Sequence, residues 1–308
     1  MVILGEVRTS LLHNSLPLPR DAVADLLSLR PGRQVTATDR PINRTVSPET
    51  VIGVDCAIAS EPRVRARGIG TVAAHAVVVG GLVAQASARV RLEWTADRER
   101  KPWAHYARRR GVVEVLGGVT AEQVLAGYHR PGRQADTMDL GAVCQRLLTQ
   151  VQGRPQLDHR TGLRTRPTSL RWTAVAREDE RPSVRLHIDD EVQRTLQVVV
   201  PPDLLGEAAR FCEDLALHDW LYTALGNVVG QAERDMAIGA DPMGVLNAAL
   251  SLLVRLWMPG AHVDLALRPL WQELETTPGF TESWDRQVAW MRDQVSMRTL
   301  SALQEARH

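Results

Sequence analysis

A pair of glycines, Gly80 and Gly81, constrains the fold of this chain more than any other local feature. They separate two runs of alternating residues, 70–79 and 82–92, that are rich in valine and alanine. Glycine tolerates the positive φ angles that a two-residue turn requires. The sequence therefore predicts an antiparallel β-hairpin that turns at this glycine pair.

The turn length sets the register of the predicted hairpin. With two residues in the turn, Val79 lies opposite Leu82 and His75 lies opposite Ala86, on a buried apolar face. We expect His75 to be a hydrogen-bonded core histidine. The other face, which we expect to contact solvent or a partner, carries four polar residues: Gln85, Ser87, Arg89 and Arg91.

Further elements follow from capping signals and periodicity. A capping box of Thr120 and Gln123 precedes a short helix, and a second helix covers residues 140–151. Alternating apolar residues then predict a three-stranded meander that ends at Pro201 and Pro202. Four helical stretches follow, separated by proline and glycine: 204–234, 243–258, 265–275 and 281–306.

These patterns predict an α+β protein, in which a mixed α/β N-terminal part with antiparallel hairpins is followed by an all-α C-terminal helical domain. We expect three parts. Residues 1–152 form an α+β domain with the glycine-pair hairpin, 153–202 a basic loop and a small β meander, and 203–308 the helical domain.

The composition is typical of a soluble globular protein, with 44% hydrophobic and 24% charged residues. No apolar run reaches the roughly 18 residues that a membrane span needs, and the N-terminus lacks the basic start of a secretory signal. The three cysteines, Cys56, Cys144 and Cys212, lie far apart, as reduced thiols do. We therefore expect a cytoplasmic protein without membrane contact.

Charge is distributed unevenly along the chain. Residues 203–308 contain 8 arginines and 15 acidic residues, a net charge of −7, whereas residues 1–202 contain 29 basic and 21 acidic residues, a net charge of +8. This asymmetry indicates either that the N-terminal part binds an anionic partner or that the acidic helices are themselves that partner.

The chain lacks the local motifs of the common enzyme classes. It has no GxSxG turn, no HExxH helix, no glycine-rich dinucleotide loop and no phosphate-binding loop, and its single lysine, Lys101, follows no glycine. The sequence therefore identifies no catalytic residue, no metal site and no cofactor. Whether the protein is an enzyme stays open at this point.

The strongest candidate binding feature is a basic segment, residues 97–110, in which cations surround aromatic residues. Guanidinium groups bind phosphate in two-pronged fashion, and tryptophan or tyrosine stacks on bases. An equally simple interpretation is a loop that its aromatic residues anchor to the core, with solvated arginines. The candidate binding residues are Arg98, Arg100, Lys101, Trp103, His105, Tyr106, Arg108, Arg109 and Arg110.

Two other polar features have structural interpretations beside functional ones. Asp214 and His218 lie one helical turn apart, next to Asp219, which indicates an ion pair or a histidine at a domain interface rather than a metal site. The arginine-rich stretch 154–171 is either a flexible linker or a phosphate-facing loop. Cys56 follows Asp55, and an acidic neighbour raises a thiol pKa, which disfavours a nucleophile.

Several motifs together resemble an uncharacterised protein family of actinobacteria, over most of the chain. They are Leu4-Gly5-Glu6-Val7-Arg8-Thr9, Gly53-Val54-Asp55-Cys56, Pro102-Trp103-Ala104-His105-Tyr106, Leu217-His218-Asp219-Trp220 and Leu256-Trp257-Met258-Pro259-Gly260. Genes of that family tend to lie beside genes for a variant P-loop protein and a predicted methyltransferase. The resemblance implies work in a multi-protein system with such partners, and it assigns no activity to any residue.

Two hypotheses of function follow. The first is a non-enzymatic component of a cytoplasmic multi-protein system, of regulatory or defence type, that acts through protein–protein contacts. The alternative is a protein that binds nucleic acid or a nucleotide through residues 98–110. Steep salt dependence of binding distinguishes the second from the first, because phosphate contacts weaken as ionic strength rises.

Overall fold

A computed structural model describes residues 1–61, 66–95, 99–130, 136–178, 180–277 and 279–305. Within these residues, one mixed sheet holds ten strands and eight helices pack on it, so the α+β fold class is confirmed. The strands are β1 (Val2–Leu11), β2 (Thr36–Thr38), β3 (Arg44–Val46), β4 (Thr50–Ile58), β5 (Ala66–Val79), β6 (Val83–Trp94), β7 (Val112–Leu116), β8 (Thr168–Ala176), β9 (Ser183–Ile188) and β10 (Gln193–Val200).

The helices are α1 (Arg20–Leu27), α2 (Trp103–Ala107), α3 (Ala121–Tyr128), α4 (Leu140–Gln152), α5 (Ala208–Ala237), α6 (Met243–Leu252), α7 (Arg268–Thr276) and α8 (Phe280–Glu305). The predicted capping box is present at α3, where the Thr120 hydroxyl accepts from Gln123 N–H. As predicted, the described part of the chain after residue 203 is helical. None of the described helices is long and apolar enough to cross a lipid bilayer.

The predicted hairpin is formed by β5 and β6, but its predicted register is wrong by one residue. The loop has three residues rather than two, so Val79 pairs with Val83 and His75 lies opposite Ser87 instead of Ala86. The reason is Leu82, which leaves the ladder: its side chain is buried in the core, and its carbonyl accepts from the Leu12 N–H at 2.7 Å.

Both glycines of this turn have positive φ, as predicted, at +59° and +66°. The turn is not at the surface. A Cβ on Gly80 would lie 2.4 Å from a methyl group of Leu256, and one on Gly81 would lie 2.1 Å from the Leu18 carbonyl oxygen. The turn is therefore enclosed by segments from both ends of the chain.

At its open end, the hairpin splays and β7 inserts between its strands. Val113 of β7 pairs with Gly70 of β5 in antiparallel fashion and with Leu92 of β6 in parallel fashion. A Cβ on Gly70 would lie 2.1 Å from the Val112 carbonyl oxygen. Glycine at this position therefore permits the close approach of β5 and β7.

Helices cover both faces of the sheet. Helices α1, α3 and α4 cover the face that carries Ala84, Ala86 and Ala88, and α5 to α8 pack on the opposite face. Gln85 and Ser87 are therefore buried, not exposed to solvent as expected, and the Gln85 amide donates to the Glu213 carbonyl of α5 at 3.0 Å. Burial of both faces could not be inferred from alternation within one strand.

The three strands predicted between residues 170 and 200 exist, but they do not form a meander. β10 lies between β8 and β9, parallel to the first and antiparallel to the second, and β8 also pairs with β1. One continuous sheet thus spans the boundary predicted near residue 152, and its last strand ends just before the boundary predicted near residue 202. The division into three parts stays a prediction.

The arginine-rich stretch before β8 is anchored to the body of the protein. Leu157 and Leu163 are buried, and the Trp220 indole donates to the Arg166 carbonyl at 3.0 Å. These contacts favour an ordered loop over a free linker at this stretch.

Candidate functional site

The basic segment lies beside β4, β5 and β7, at the end of the sheet where β7 inserts into the hairpin. Its helix α2 is a short turn whose Tyr106 is buried and whose hydroxyl accepts from the Lys101 backbone N–H at 3.0 Å. Trp103 is 43% exposed and lies over Gly53 of β4, where a Cβ would be 3.4 Å from the ring. Tyr106 therefore anchors the segment, whereas Trp103 presents an indole at the surface. Arg98 lies outside the described residues.

Acidic residues of the sheet neutralise several of the predicted binding cations. Glu114 of β7 is buried and contacts His105 at 2.6 Å, Arg109 at 2.5 Å and Lys101 at 3.5 Å. Burial raises the pKa of Glu114, but the hydrogen bond from His105 and the charges of Lys101 and Arg109 outweigh burial and lower the pKa overall. Arg109 also pairs with Glu93.

Arg100 is held in a similar way at the edge of the same surface. Asp55 of β4 accepts from Arg67 at 2.6 Å and lies 3.4 Å from Arg100. The hydrogen bond from Arg67 lowers the pKa of Asp55, with a smaller contribution from the charge of Arg100. The Arg100 guanidinium also lies 5.3 Å from the centre of the Trp103 ring, a cation–π distance.

The remaining two candidates differ from the others. Arg108 and Arg110 are exposed, and within the described residues neither forms an ion pair. The basic segment thus consists of an inner set of cations held by the sheet carboxylates and an outer pair directed to solvent. The density of arginine in the sequence could not separate these sets, since their acidic partners lie on distant strands.

Strand β4, directly beside Trp103, has an open edge. β3 and β4 follow one another along the same side of β5, and residues 47–49 form a bulge between them. The short strand β2 covers β3 only. Within the described residues, the outer edge of β4 is met by a single bridge, from Ala57 to Thr137. No other described strand therefore pairs with residues 50–56 along this edge.

A second polar cluster, missed by sequence reasoning, lies between α5 and the sheet. Glu213 is 3% exposed, and its carboxylate contacts Arg44 of β3 at 2.6 Å and His75 of β5 at 2.8 Å. Burial raises the pKa of Glu213, yet the charges and hydrogen bonds of His75 and Arg44 prevail and lower it to about 2. His75 is part-buried and lies opposite Ser87 on the polar face of the hairpin, not on the apolar face predicted for it, and its close partner is the Glu213 carboxylate. The sequence offered no local signal for its partner, because Glu213 stands next to Asp214 in a helix with several other charged residues.

The acidic and histidine residues farther along α5 are also buried rather than on a helix surface. His218 Nδ1 donates to the Asp214 carbonyl at 2.7 Å, and its Nε2 accepts from Met258 N–H at 3.1 Å. Asp219 pairs with Arg194 of β10 at 3.0 Å. His218 is thus buried within the helical part of the chain, where Trp257 and Trp271 also contact its ring, and it lies neither on a helix surface nor at the predicted domain interface. The described residues contain no group of three potential metal ligands.

Cys56 lies on β4 between the open edge and the basic segment. Burial, and then the neighbouring charge of Asp55, raise the pKa of its thiol. A raised pKa leaves the thiol protonated and weakly nucleophilic near neutral pH, in agreement with the sequence argument.

Comparison with known proteins adds no relative. No family model matches the chain, and neither the curated proteins nor the solved structures contain a significant match to it. The candidate site is therefore argued from its own geometry alone.

Proposed function

We propose that this chain is a non-enzymatic component of a cytoplasmic multi-protein system, of regulatory or defence type, and that it binds a partner protein at the open edge of β4. The observation that carries the proposal is the edge of residues 50–56, with which no other described strand pairs on that side, beside the half-exposed Trp103. An extended peptide adds to such an edge through its backbone. Tryptophan and arginine are the residues most often found at the centre of protein interfaces.

The charges around the edge define the chemistry of the partner. Arg108 and Arg110 are exposed without ion pairs among the described residues, and Arg100 flanks Trp103. These cations favour an extended segment that carries acidic residues. By the resemblance described above, a P-loop protein and a methyltransferase are the first partners to test.

The alternative, binding of nucleic acid or a nucleotide, rests on Arg108 and Arg110 together with Arg98. The inner cations already have carboxylate partners, which leaves at most three phosphate contacts. Three contacts give a logarithmic salt slope of only about −2 to −3. Such a site is weak for a nucleic acid at physiological salt.

Co-purification from the native host, followed by mass spectrometry, tests the proposal. Trp103→Ala and the double variant Arg108→Glu/Arg110→Glu should each lose the partner that the wild type retains. The matched controls Ile238→Ala and Arg33→Glu change an exposed apolar and an exposed basic residue elsewhere, and should retain it.

Hydrogen exchange then locates the contact. With the purified partner bound, the amides of residues 50–56 should exchange more slowly, because strand addition pairs them. Unchanged exchange at this edge contradicts the proposal, even if a partner is captured. Binding to an RNA or DNA oligonucleotide that weakens with salt and is lost in the double arginine variant would support the alternative instead.

A further inference from the structure

A cavity of about 430 Å³ opens where α5 begins, between the first turn of that helix and strands β2, β3, β5 and β6. It is on the same face of the sheet as the basic segment but is built from other residues. The ionisable and histidine side chains that line it are Arg44, His75, Arg89, Arg210, Glu213 and His262, with Glu207 at its rim. We propose that this cavity binds a small phosphorylated metabolite through Arg44, Arg89, Arg210 and His262.

The first support is the balance of charge at the cavity wall. The buried carboxylate of Glu213 is shared by two cationic partners, Arg44 at 2.6 Å and His75 at 2.8 Å. The Glu213 carboxylate therefore does not belong to Arg44 alone, and the Arg44 guanidinium keeps donors for an anion at the inner end of the cavity.

Arg89 and Arg210, farther from Glu213 in the cavity, form weaker ion pairs. Arg89 lies 3.2 Å from Glu49, and Arg210 lies 3.3 Å from Glu207, in pairs whose members are 34% to 66% exposed. Exposed pairs of this kind contribute little and rearrange readily. Both guanidiniums can therefore turn toward an anion in the cavity, where phosphate offers a stronger, two-pronged contact.

The second support is a polar atom without a partner. The Nε2 atom of His262 is buried, and no hydrogen-bond partner for it exists among the described residues. A buried imidazole nitrogen left unpaired is costly, so a ligand group in the cavity that pairs with it would be favoured. Burial and the nearby charge of Arg44 lower the pKa of His262, so the neutral ring is available to donate to a phosphate oxygen.

The start of α5 strengthens the same charge preference. Gly206, Glu207, Ala209 and Arg210 line the cavity, and the first turn of this 30-residue helix has no side-chain cap. The positive end of the helix dipole therefore lies at the cavity wall. The volume is within the range of small-molecule sites, and it is too confined for a nucleic acid chain.

Calorimetric titration and thermal melting with inorganic phosphate, adenosine monophosphate and adenosine test the inference. The two phosphate-bearing probes should bind and raise the melting temperature of the wild type, because a ligand that binds only the folded state stabilises it. Adenosine, which lacks the phosphate, should do neither. Absence of binding by both phosphate-bearing probes at millimolar concentration overturns the inference, as does equal binding by adenosine.

Variants then assign the binding to the cavity. Arg210→Gln and Arg89→Gln change partly or fully exposed side chains, and each should weaken phosphate binding by about tenfold or more, as loss of a charged hydrogen bond does. The matched control is Arg268→Gln, an exposed arginine at the first residue of α7, which should bind as the wild type does. Unchanged affinity in both cavity variants would place any phosphate elsewhere and refute the inference.

Discussion

Glu213 brings a negative charge into the layer between α5 and the sheet, where Arg44 and His75 meet it. We predict that Glu213→Gln destabilises the protein by about 3–5 kcal/mol, because removal of one partner leaves buried cations without compensation. Glu207→Gln, at the half-exposed residue just before the same helix, is the control and should change stability by less than about 0.5 kcal/mol. Urea unfolding at neutral pH measures both.

The pH dependence of the same variant gives a second readout. The pKa of Glu213 is about 2 in the folded protein, below the 4.5 of an unperturbed glutamate, so the unfolded chain binds its proton first as pH falls. Its contribution to stability is therefore complete above pH 4.5 and declines as the pH approaches 2. Between these values, Glu213→Gln should lose less stability on acidification than the wild type. Equal acid sensitivity of the two proteins would contradict the assignment.

At the scale of single elements, Gly70 decides whether β7 can enter the open end of the hairpin. Gly70→Ala places a Cβ 2.1 Å from the Val112 carbonyl oxygen, and we predict destabilisation of about 3 kcal/mol or more, because the backbone must shift to relieve the overlap. Gly118→Ala, just after β7, meets no atom within 4 Å. This control should stay within about 0.5 kcal/mol of the wild type, and an equal loss in both variants would refute the steric argument.

Some of these elements could be predicted from the sequence, and others could not. The capping box at Thr120, the last predicted helix at residues 281–306, and the hairpin itself depend on residues close in sequence, and all are present. The register failed because Leu82 is drawn into a core made by distant segments. The predicted order of β8, β9 and β10 was wrong for a similar reason. Alternation of apolar and polar residues indicates which face of the sheet a side chain lies on, but not which strand pairs with which.

The candidate site was predictable only in part, for the same physical reason. The density of cations in the basic segment is visible in the sequence, but the carboxylates that hold them, Glu93 and Glu114, lie on separate strands. The pairing of Arg44 with Glu213 joins residues far apart in sequence. Sequence patterns detect local chemistry, whereas ion pairs across a sheet depend on topology.

For the whole molecule, we predict one cooperative unfolding transition. The core beneath α5 and α7 contains Trp172 and Leu196 from the sheet together with Phe211 and Trp271 from the helices, so neither part buries its apolar surface alone. Calorimetric and van't Hoff enthalpies should therefore agree. A fragment of residues 1–202 should expose this sheet face and bind a hydrophobic dye. Two separate transitions, or a stable dye-silent fragment, would show independent domains.

The enclosed hairpin turn has a consequence for synthesis of the chain on the ribosome. A hairpin closes in about 1–10 μs, whereas translation adds roughly 5–20 residues per second, so β5 and β6 can pair long before Leu256 leaves the exit tunnel. Leu18 is already available to cover one side of the turn, and the other side waits for the last third of the chain. The nascent protein therefore exposes a valine-rich surface until late in translation. During this period, that surface is a binding site for a chaperone.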